Sequence, residues 1–327
     1  MKIYILSASL ACVLSIILGY FSIPLLKRLK VGQPVLKYVT KHYSKSGTPT
    51  MGGLFFVLSA VVIFIFFSSF NNRLSIITIS ITVGFALVGF MDDFLKIKFK
   101  NNQGLTAKQK LIFELIVSVF ASYIAYDSGL DFVFIPFTKK ELHLGVISVL
   151  FNAFIFIATV NSVNLTDGLD GLCSSVSIVY FLGLGVLILL QISTHTNVYL
   201  INEEYKNLSI FSFCMAGALL GYLVFNSPKA SVFMGDTGSL SIGGAISTIS
   251  VFSGNSLYIP IGGICFLISS LSVIIQVVYF KKTKRRVFIM APLHHHFQEK
   301  GYLESKITYA YFIITALVFA VLLINYL

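Results

Sequence analysis

Apolar residues in this chain fall in long blocks, rather than in the alternation of a half-buried strand or the one-sided spacing of a surface helix. Ten blocks approach or exceed the length needed to cross a hydrocarbon core of roughly 30 Å. They are residues 3–26, 51–70, 74–91, 110–127, 144–161, 172–191, 208–225, 239–253, 258–280 and 306–326, the eighth being short. The pattern predicts an all-α, polytopic integral membrane protein of about ten transmembrane helices. No repeat, low-complexity tract or long hydrophilic segment divides it, so residues 1–327 are expected to form one integral domain. One polar interval differs: "DSGLDFVFIPFTKKELHLG", from Asp127 to Gly145, has short alternating runs around Pro136 and predicts a small extracytoplasmic hairpin.

Composition agrees, with 56% hydrophobic and 11% charged residues and a mean hydropathy of +0.88, which excludes an ordinary soluble domain. The net charge of +11 is unevenly spread. All Lys and Arg except Lys2, Arg73, Lys139, Lys140 and Lys206 fall in alternate interhelical stretches. Positive loops stay on the cytoplasmic side, so both termini are expected outside. Part of that charge serves topology and attraction to anionic lipid, and the rest is available to a polyanionic substrate. Nucleic acid is not an expected partner, because no basic stripe alternates with stacking aromatics. Cys12, Cys173, Cys214 and Cys265 lie in or at the edge of apolar spans and suggest neither disulfides nor a zinc site.

Acidic residues change this picture. Asp92, Asp93, Asp167, Asp170 and Asp236 fall at the same, cytoplasmic ends of different spans. Like charges about 4 Å apart cost about 1–4 kcal/mol per pair in water-like to surface-like surroundings. A cluster of them therefore calls for protonation or a cation, and oxygen-only ligands favour Mg²⁺ or Mn²⁺.

Four stretches carry the candidate chemistry. In "VNSVNLTDGLDGL" the residues Asn161, Asn164, Asp167 and Asp170 recur every third position, which on a helical turn would gather one amide and carboxylate face. In "NSPKASVFMGDTGSLSIGG" Asp236 stands between Gly235 and Gly238, where the backbone can turn tightly and present N–H groups to an anion. Phe233 there is either a core side chain or a stacking surface for a base. "APLHHHFQEKG" holds His294, His295 and His296, which on a helix spread over about 200° and so suit phosphate contacts or acid–base work rather than a three-histidine zinc site. "HYSKSGTPTMGG" is a turn that offers the Lys45 ammonium at the surface.

Taken together, "SKSGTPTMGG", "GFMDDFLK", "NNQGLTAKQK", "NLTDGLDGL", "NSPKASVFMGDTGS" and "PLHHHF" resemble, in fixed order from Ser44 to Phe297, the polyprenyl-phosphate N-acetylhexosamine-1-phosphate transferases. The GTPTMGG and PLHHHF forms resemble their phospho-N-acetylmuramoyl-pentapeptide branch. The resemblance implies a Mg²⁺-dependent transfer of phospho-N-acetylmuramoyl-pentapeptide from its UDP-linked donor (UDP-MurNAc-pentapeptide) to undecaprenyl phosphate in peptidoglycan synthesis. UMP would be released and lipid I formed. It further implies a homodimer in the bacterial cytoplasmic membrane, with the active site on the cytoplasmic face.

Carried over by position, Asp236 would bind Mg²⁺, and Asp92 would act as base or nucleophile near the lipid phosphate with Asp93 beside it. Asn164, Asp167, Asp170, Asn226 and Phe233 would line the uridine and diphosphate site. Lys45, Lys96 and Lys108 would meet phosphates, and His294, His295 and His296 would face the donor. The resemblance leaves open a covalent phospho-enzyme or direct attack. Two other readings stand beside it: an N-acetylglucosamine-1-phosphate transferase of the same superfamily, and a cation-coupled secondary transporter. Against a transporter, the acids lie at one face rather than mid-membrane. Glu114 is the one carboxylate well inside a span, placed to pair with Lys110 one turn away.

Overall fold

A computed structural model of the chain describes residues 1–28, 47–68, 73–99, 104–138, 140–194, 199–324 and 326. Lys45 lies outside the described residues. The helices are α1 (Lys2–Arg28), α2 (Gly53–Phe67), α3 (Arg73–Lys98), α4 (Ala107–Asp127), α5 (Ile147–Thr166), α6 (Leu172–Thr194), α7 (Tyr199–Asn226), α8 (Gly235–Phe252), α9 (Ile259–Gly262), α10 (Ile264–Thr283), α11 (Leu293–Glu299) and α12 (Glu304–Ile324). Between α4 and α5 stands the hairpin expected around Pro136. Its strands β1 (Phe132–Ile135) and β2 (Lys140–His143) pair antiparallel, with Phe132 opposite His143 and Ile135 opposite Lys140.

Among the described residues eight helices, α1, α3, α4, α5, α6, α7, α10 and α12, are long and apolar enough to cross a membrane. Their outward faces carry large apolar side chains such as Leu150, Phe120 and Ile275, which a bilayer solvates and water would not. The molecule is a multi-pass membrane protein. α2, with 15 residues, and α8, with 18, fall on the second and eighth predicted blocks.

α8 explains why hydropathy alone undervalues it. It is built of small and hydroxyl residues, and from Thr237 to Phe252 every one is buried. Its partners are α2, α3 and α5 rather than lipid. Hydroxyls inside it donate to carbonyls one turn back, Ser247 to Gly243 at 2.9 Å and Thr248 to Gly244 at 2.7 Å, so they need no outside partner. Small residues also let neighbouring backbones approach closely. A Cβ at Gly89 of α3 would meet the Asp236 backbone, and one at Gly53 of α2 would meet the Gly238 backbone.

Element boundaries depart from the hydropathy blocks at three places that matter for the site. α3 runs past residue 91 to Lys98, so Asp92 and Asp93 lie within its last two turns. α5 continues past residue 161 to Thr166 and carries Asn164. The block 258–280 is broken at Gly263 into α9 and α10, with Pro260 in the first turn of the shorter piece.

Candidate active site

The site forms where the last turns of α3, the first turn of α4, the end of α5 and the start of α8 meet. Gly235 opens α8 with φ +70°, a conformation that favours glycine, and a Cβ there would also meet the Asp93 carboxylate. Asp93 is fully buried and serves α8 from another helix. Its carboxylate accepts the backbone N–H of Asp236 at 3.2 Å and of Thr237 at 2.9 Å, together with the Thr237 hydroxyl at 2.7 Å. It thereby satisfies donors that a helix start leaves open and favours the positive end of the α8 dipole. Before α8 the chain is further held by Gly52 N to Phe233 O at 2.9 Å, Gly53 N to Met234 O at 3.0 Å and Phe233 N to Pro49 O at 2.8 Å.

So anchored, Asp236 points into the site. Its Oδ1 accepts Asn164 Nδ2 at 3.0 Å, and its Oδ2 accepts Lys96 Nζ at 3.2 Å and Lys110 Nζ at 3.0 Å. Lys96 also pairs with Asp92 Oδ2 at 2.5 Å, four residues back on α3. The other Asp92 oxygen accepts Leu105 N at 2.8 Å, tying α3 to the segment before α4. Thr106 then starts α4 with a reciprocal cap to Gln109. One oxygen each from Asp92, Asp93 and Asp236 lie within 4.8 Å of one another. These hard oxygen donors, with the Asn164 amide beside them, suit a divalent cation such as Mg²⁺. Since Asp93 is engaged by α8, Asp236 and Asp92 are the carboxylates best placed to hold one.

Several expectations need correction. The single amide and carboxylate face expected over residues 161–170 does not form, because α5 ends at Thr166 and the Gly168 and Gly171 positions turn the chain. Asn161 instead donates to Glu114 at 2.7 Å, Asn164 serves Asp236 and Ser239, and Asp170 accepts Ala230 N at 3.2 Å. Glu114 takes its bond from Asn161, whereas its expected partner Lys110 turns to Asp236 and, at 3.4 Å, to Asn164 Oδ1. In "AKQK" it is thus Lys110 that meets the acids, while Lys108 is exposed on the first turn of α4. Asp167 caps the end of α5 half-buried, and its carboxyl is pushed up to about 8, first by desolvation and then by the charges of Asp236, Asp93 and Asp170.

The histidines separate. His294 is fully buried, and neither ring nitrogen has a hydrogen-bond partner among the described residues. Burial, aided by His295, lowers its pKa to about 3, so the ring is neutral. A Cβ at Gly168 would meet Nε2 of both His294 and His295, so these two rings close over the Asp167–Gly168 turn. His295 Nδ1 lies 2.9 Å from Gln298 Oε1. His296 Nδ1 instead accepts Ile289 N at 3.1 Å and steadies the loop before α11.

Asn226 is engaged on both sides. Its Oδ1 accepts Gly171 N at 3.2 Å and Ser174 Oγ at 2.9 Å, and its Nδ2 donates to Val232 O at 3.1 Å. It fixes the loop that carries the half-buried Phe233. Sequence reasoning missed the contact of Lys110 with Asp236 and that of Glu114 with Asn161. The usable signal for Lys110 was the Thr106 cap, which sets the helical register and puts residues 110 and 114 on one face.

The fold and site define an integral membrane protein with a buried acidic centre, partly balanced by two lysines, whose carboxylates could hold a metal ion. Residues 74–254 match the family model "Glycosyl transferase family 4", and residues 45–57 match "Phospho-N-acetylmuramoyl-pentapeptide-transferase signature 1". The chain is 43% identical over 312 residues to the phospho-N-acetylmuramoyl-pentapeptide-transferase of Thermoanaerobacter sp. (strain X514), 95% of each chain being covered. It is 41% identical over 326 residues to that of Anoxybacillus flavithermus, covering 98% of this chain and 97% of the relative. With that of Clostridium perfringens (strain 13 / Type A) it shares 40% identity over 312 residues, 95% of each. The chain belongs to the phospho-N-acetylmuramoyl-pentapeptide-transferase family within glycosyl transferase family 4, and it is a phosphotransferase.

Proposed function

We propose that the protein transfers phospho-N-acetylmuramoyl-pentapeptide from its UDP-linked donor to undecaprenyl phosphate, releasing UMP and forming lipid I for peptidoglycan synthesis. A phosphate oxygen of the acceptor forms a bond to the sugar-linked phosphorus of the donor, and the bond from that phosphorus to the UMP oxygen breaks. The supporting observation is the convergence of the Asp92 and Asp236 carboxylates with the Lys96 and Lys110 ammonium groups at one end of α8.

Phosphoryl transfer depends on positioning and charge neutralisation. Lys96 is placed to neutralise phosphate oxygens, Lys110 balances the Asp236 carboxylate, and Asp93 keeps α8 aimed at them. Mg²⁺ held by Asp236 and Asp92, with Asn164 beside them, would supply further neutralisation of the diphosphate. A phosphate monoester is already largely ionised near neutral pH, so Asp92 is better suited to positioning than to obligatory proton removal. Asp167, Asp170 and Phe233 line the side toward the nucleotide, where Asn226 holds their loop. His294 and His295 close it from α11. Lys108, exposed at the start of α4, meets the donor or the lipid headgroup, and Lys45 would contribute a further phosphate contact.

Residues 1–327 would act as one integral domain, as a homodimer in the bacterial cytoplasmic membrane, with both termini outside and the site on the cytoplasmic face. The test is UMP release by purified protein in detergent with labelled UDP-MurNAc-pentapeptide or UDP-N-acetylglucosamine, with and without Mg²⁺. The first donor alone should turn over, only with the metal, and Asp236→Asn should lower turnover by about a thousandfold. Turnover of the N-acetylglucosamine donor, or full activity in Asp236→Asn, would displace the assignment.

A further inference from the structure

Glu114 has no part in the chemistry above, yet it is a carboxylate buried to 1% exposure within α4. Only Oε2 is satisfied, by Asn161 at 2.7 Å, while Oε1 is buried with no hydrogen-bond partner among the described residues. Such a group is costly inside a membrane protein and by default serves a function. Its surroundings suggest which one. Lys110 and Glu114 are four residues apart on one helical face, the spacing at which side chains meet. Across from them, α5 presents the corresponding pair Asn164 and Asn161, so α4 and α5 share two polar rungs. Glu114 also lies within the electrostatic reach of Lys110, Asp236 and Asp92.

Resting on the cation site proposed above, we infer that Glu114 is the second anchor of the Lys110 ammonium, which it receives when a divalent cation takes Asp236. Lys110 and a metal ion compete for the same Asp236 oxygen, since Lys110 Nζ stands 3.0 Å from Oδ2. An ammonium displaced into a buried region without a counter-charge would oppose metal binding. Rotation of the Lys110 side chain toward Glu114 Oε1 gives the ammonium a partner and satisfies the orphaned oxygen. Charge balance agrees: three clustered aspartates against two lysines leave one net negative charge, and Glu114 makes it two, which a divalent cation offsets. Glu114 is thus a positioning residue acting through Lys110.

The test is Mn²⁺ binding to the full-length protein in detergent, without substrate, read by electron paramagnetic resonance or calorimetry. Glu114→Gln should weaken Mn²⁺ by about ten- to a hundredfold, the range for loss of a group supporting a metal ligand. Glu114→Asp should recover most of that loss. Lys110→Gln alone should tighten Mn²⁺, and in its background Glu114→Gln should cost little, because the displaced ammonium is gone. Unchanged affinity in Glu114→Gln, or its full penalty persisting without Lys110, overturns the inference. If Glu114→Gln fails to fold, absence of any gain in Lys110→Gln overturns it equally. Wild-type protein that binds no Mn²⁺ removes the metal reading itself, and this one with it.

Discussion

Two buried polar networks lie at opposite ends of α8, and they are built on different principles. Beyond its last residue, Asn255 and Gln191 exchange amide hydrogen bonds at 2.8 and 2.9 Å, and Asn255 also reaches the Ser253 hydroxyl at 2.9 Å. Gln191 contacts the Tyr326 hydroxyl at 3.3 Å, which meets the Tyr258 hydroxyl at 2.7 Å. Every member is neutral. At the first turn of α8, by contrast, Asp92, Asp93 and Asp236 share two ammonium groups and retain excess negative charge. A neutral network of this kind holds helix ends together and carries no charge to attract an ionic ligand. A charged one that is incompletely neutralised remains able to bind.

Within the charged network the same contrast recurs. Asp93 is saturated by three donors from α8 and acts on the fold, whereas the Asp236 carboxylate receives only side-chain donors, from Lys96, Lys110 and Asn164. Adjacent residues on α3 thus have different duties: Asp93 supports α8, and Asp92 faces Lys96.

This contrast can be broken by substitution. The largest effect is expected from Gly89→Ala, whose methyl would strike the Asp236 backbone and push α3 from α8. UMP release should fall by at least about a hundredfold, as for misplacement of about 1 Å at a reacting centre. Activity close to wild type would show that the helix contact is loose. Asp93→Asn should follow, losing about 2–3 kcal/mol of stability with the charge-assisted bonds to α8. It should also lower kcat more than KM, and denaturation together with steady-state rates would register both. At the other end, Asn255→Ala should cost about 1–3 kcal/mol by removing the two amide bonds exchanged with Gln191. Its kcat should stay within about twofold of wild type, since no charge at the site is touched. A kcat loss matching that of Asp93→Asn would erase the distinction between the networks.

The smallest effects concern pH. The Asp167 carboxyl is raised from 3.8 to about 8, so the folded state prefers the protonated form and stability is lost as pH rises across that window. Asp167→Asn should therefore raise the metal-free melting temperature more at pH 8 than at pH 5. His294 has the opposite sense: its pKa falls from 6.5 to about 3, so stability is lost as pH falls from about 6.5 toward 3. His294→Phe should flatten that acid limb, and a melting curve unchanged between pH 6 and pH 4 in both proteins would contradict a neutral buried ring.

Much of the fold was legible because a bilayer permits few solutions: a span must satisfy its own backbone and turn apolar side chains to lipid. The order of helices and the hairpin around Pro136 follow from that constraint. α8 is the instructive exception, since its glycines, serines and threonines read as a weak span until packing on α2, α3 and α5 gives them a reason. Site residues were legible as types, because carboxylates are expensive at a membrane edge. Which of two lysines in "AKQK" turns inward, and which histidine of three is buried, could not be read from types.

By itself the sequence determined a helical membrane protein with acids and bases gathered at one end of its spans, because hydrocarbon penalises both exposed backbone and unpaired charge. Tertiary structure decided the partners. The cap on α4, the Asp–Gly turns after α5 and the close approach of α3 to α8 selected Lys110 over Lys108 and separated Asp93 from Asp92 and Asp236. Hydrogen bonds and ion pairs act over about 3 Å, so they are specified only when distant segments have docked.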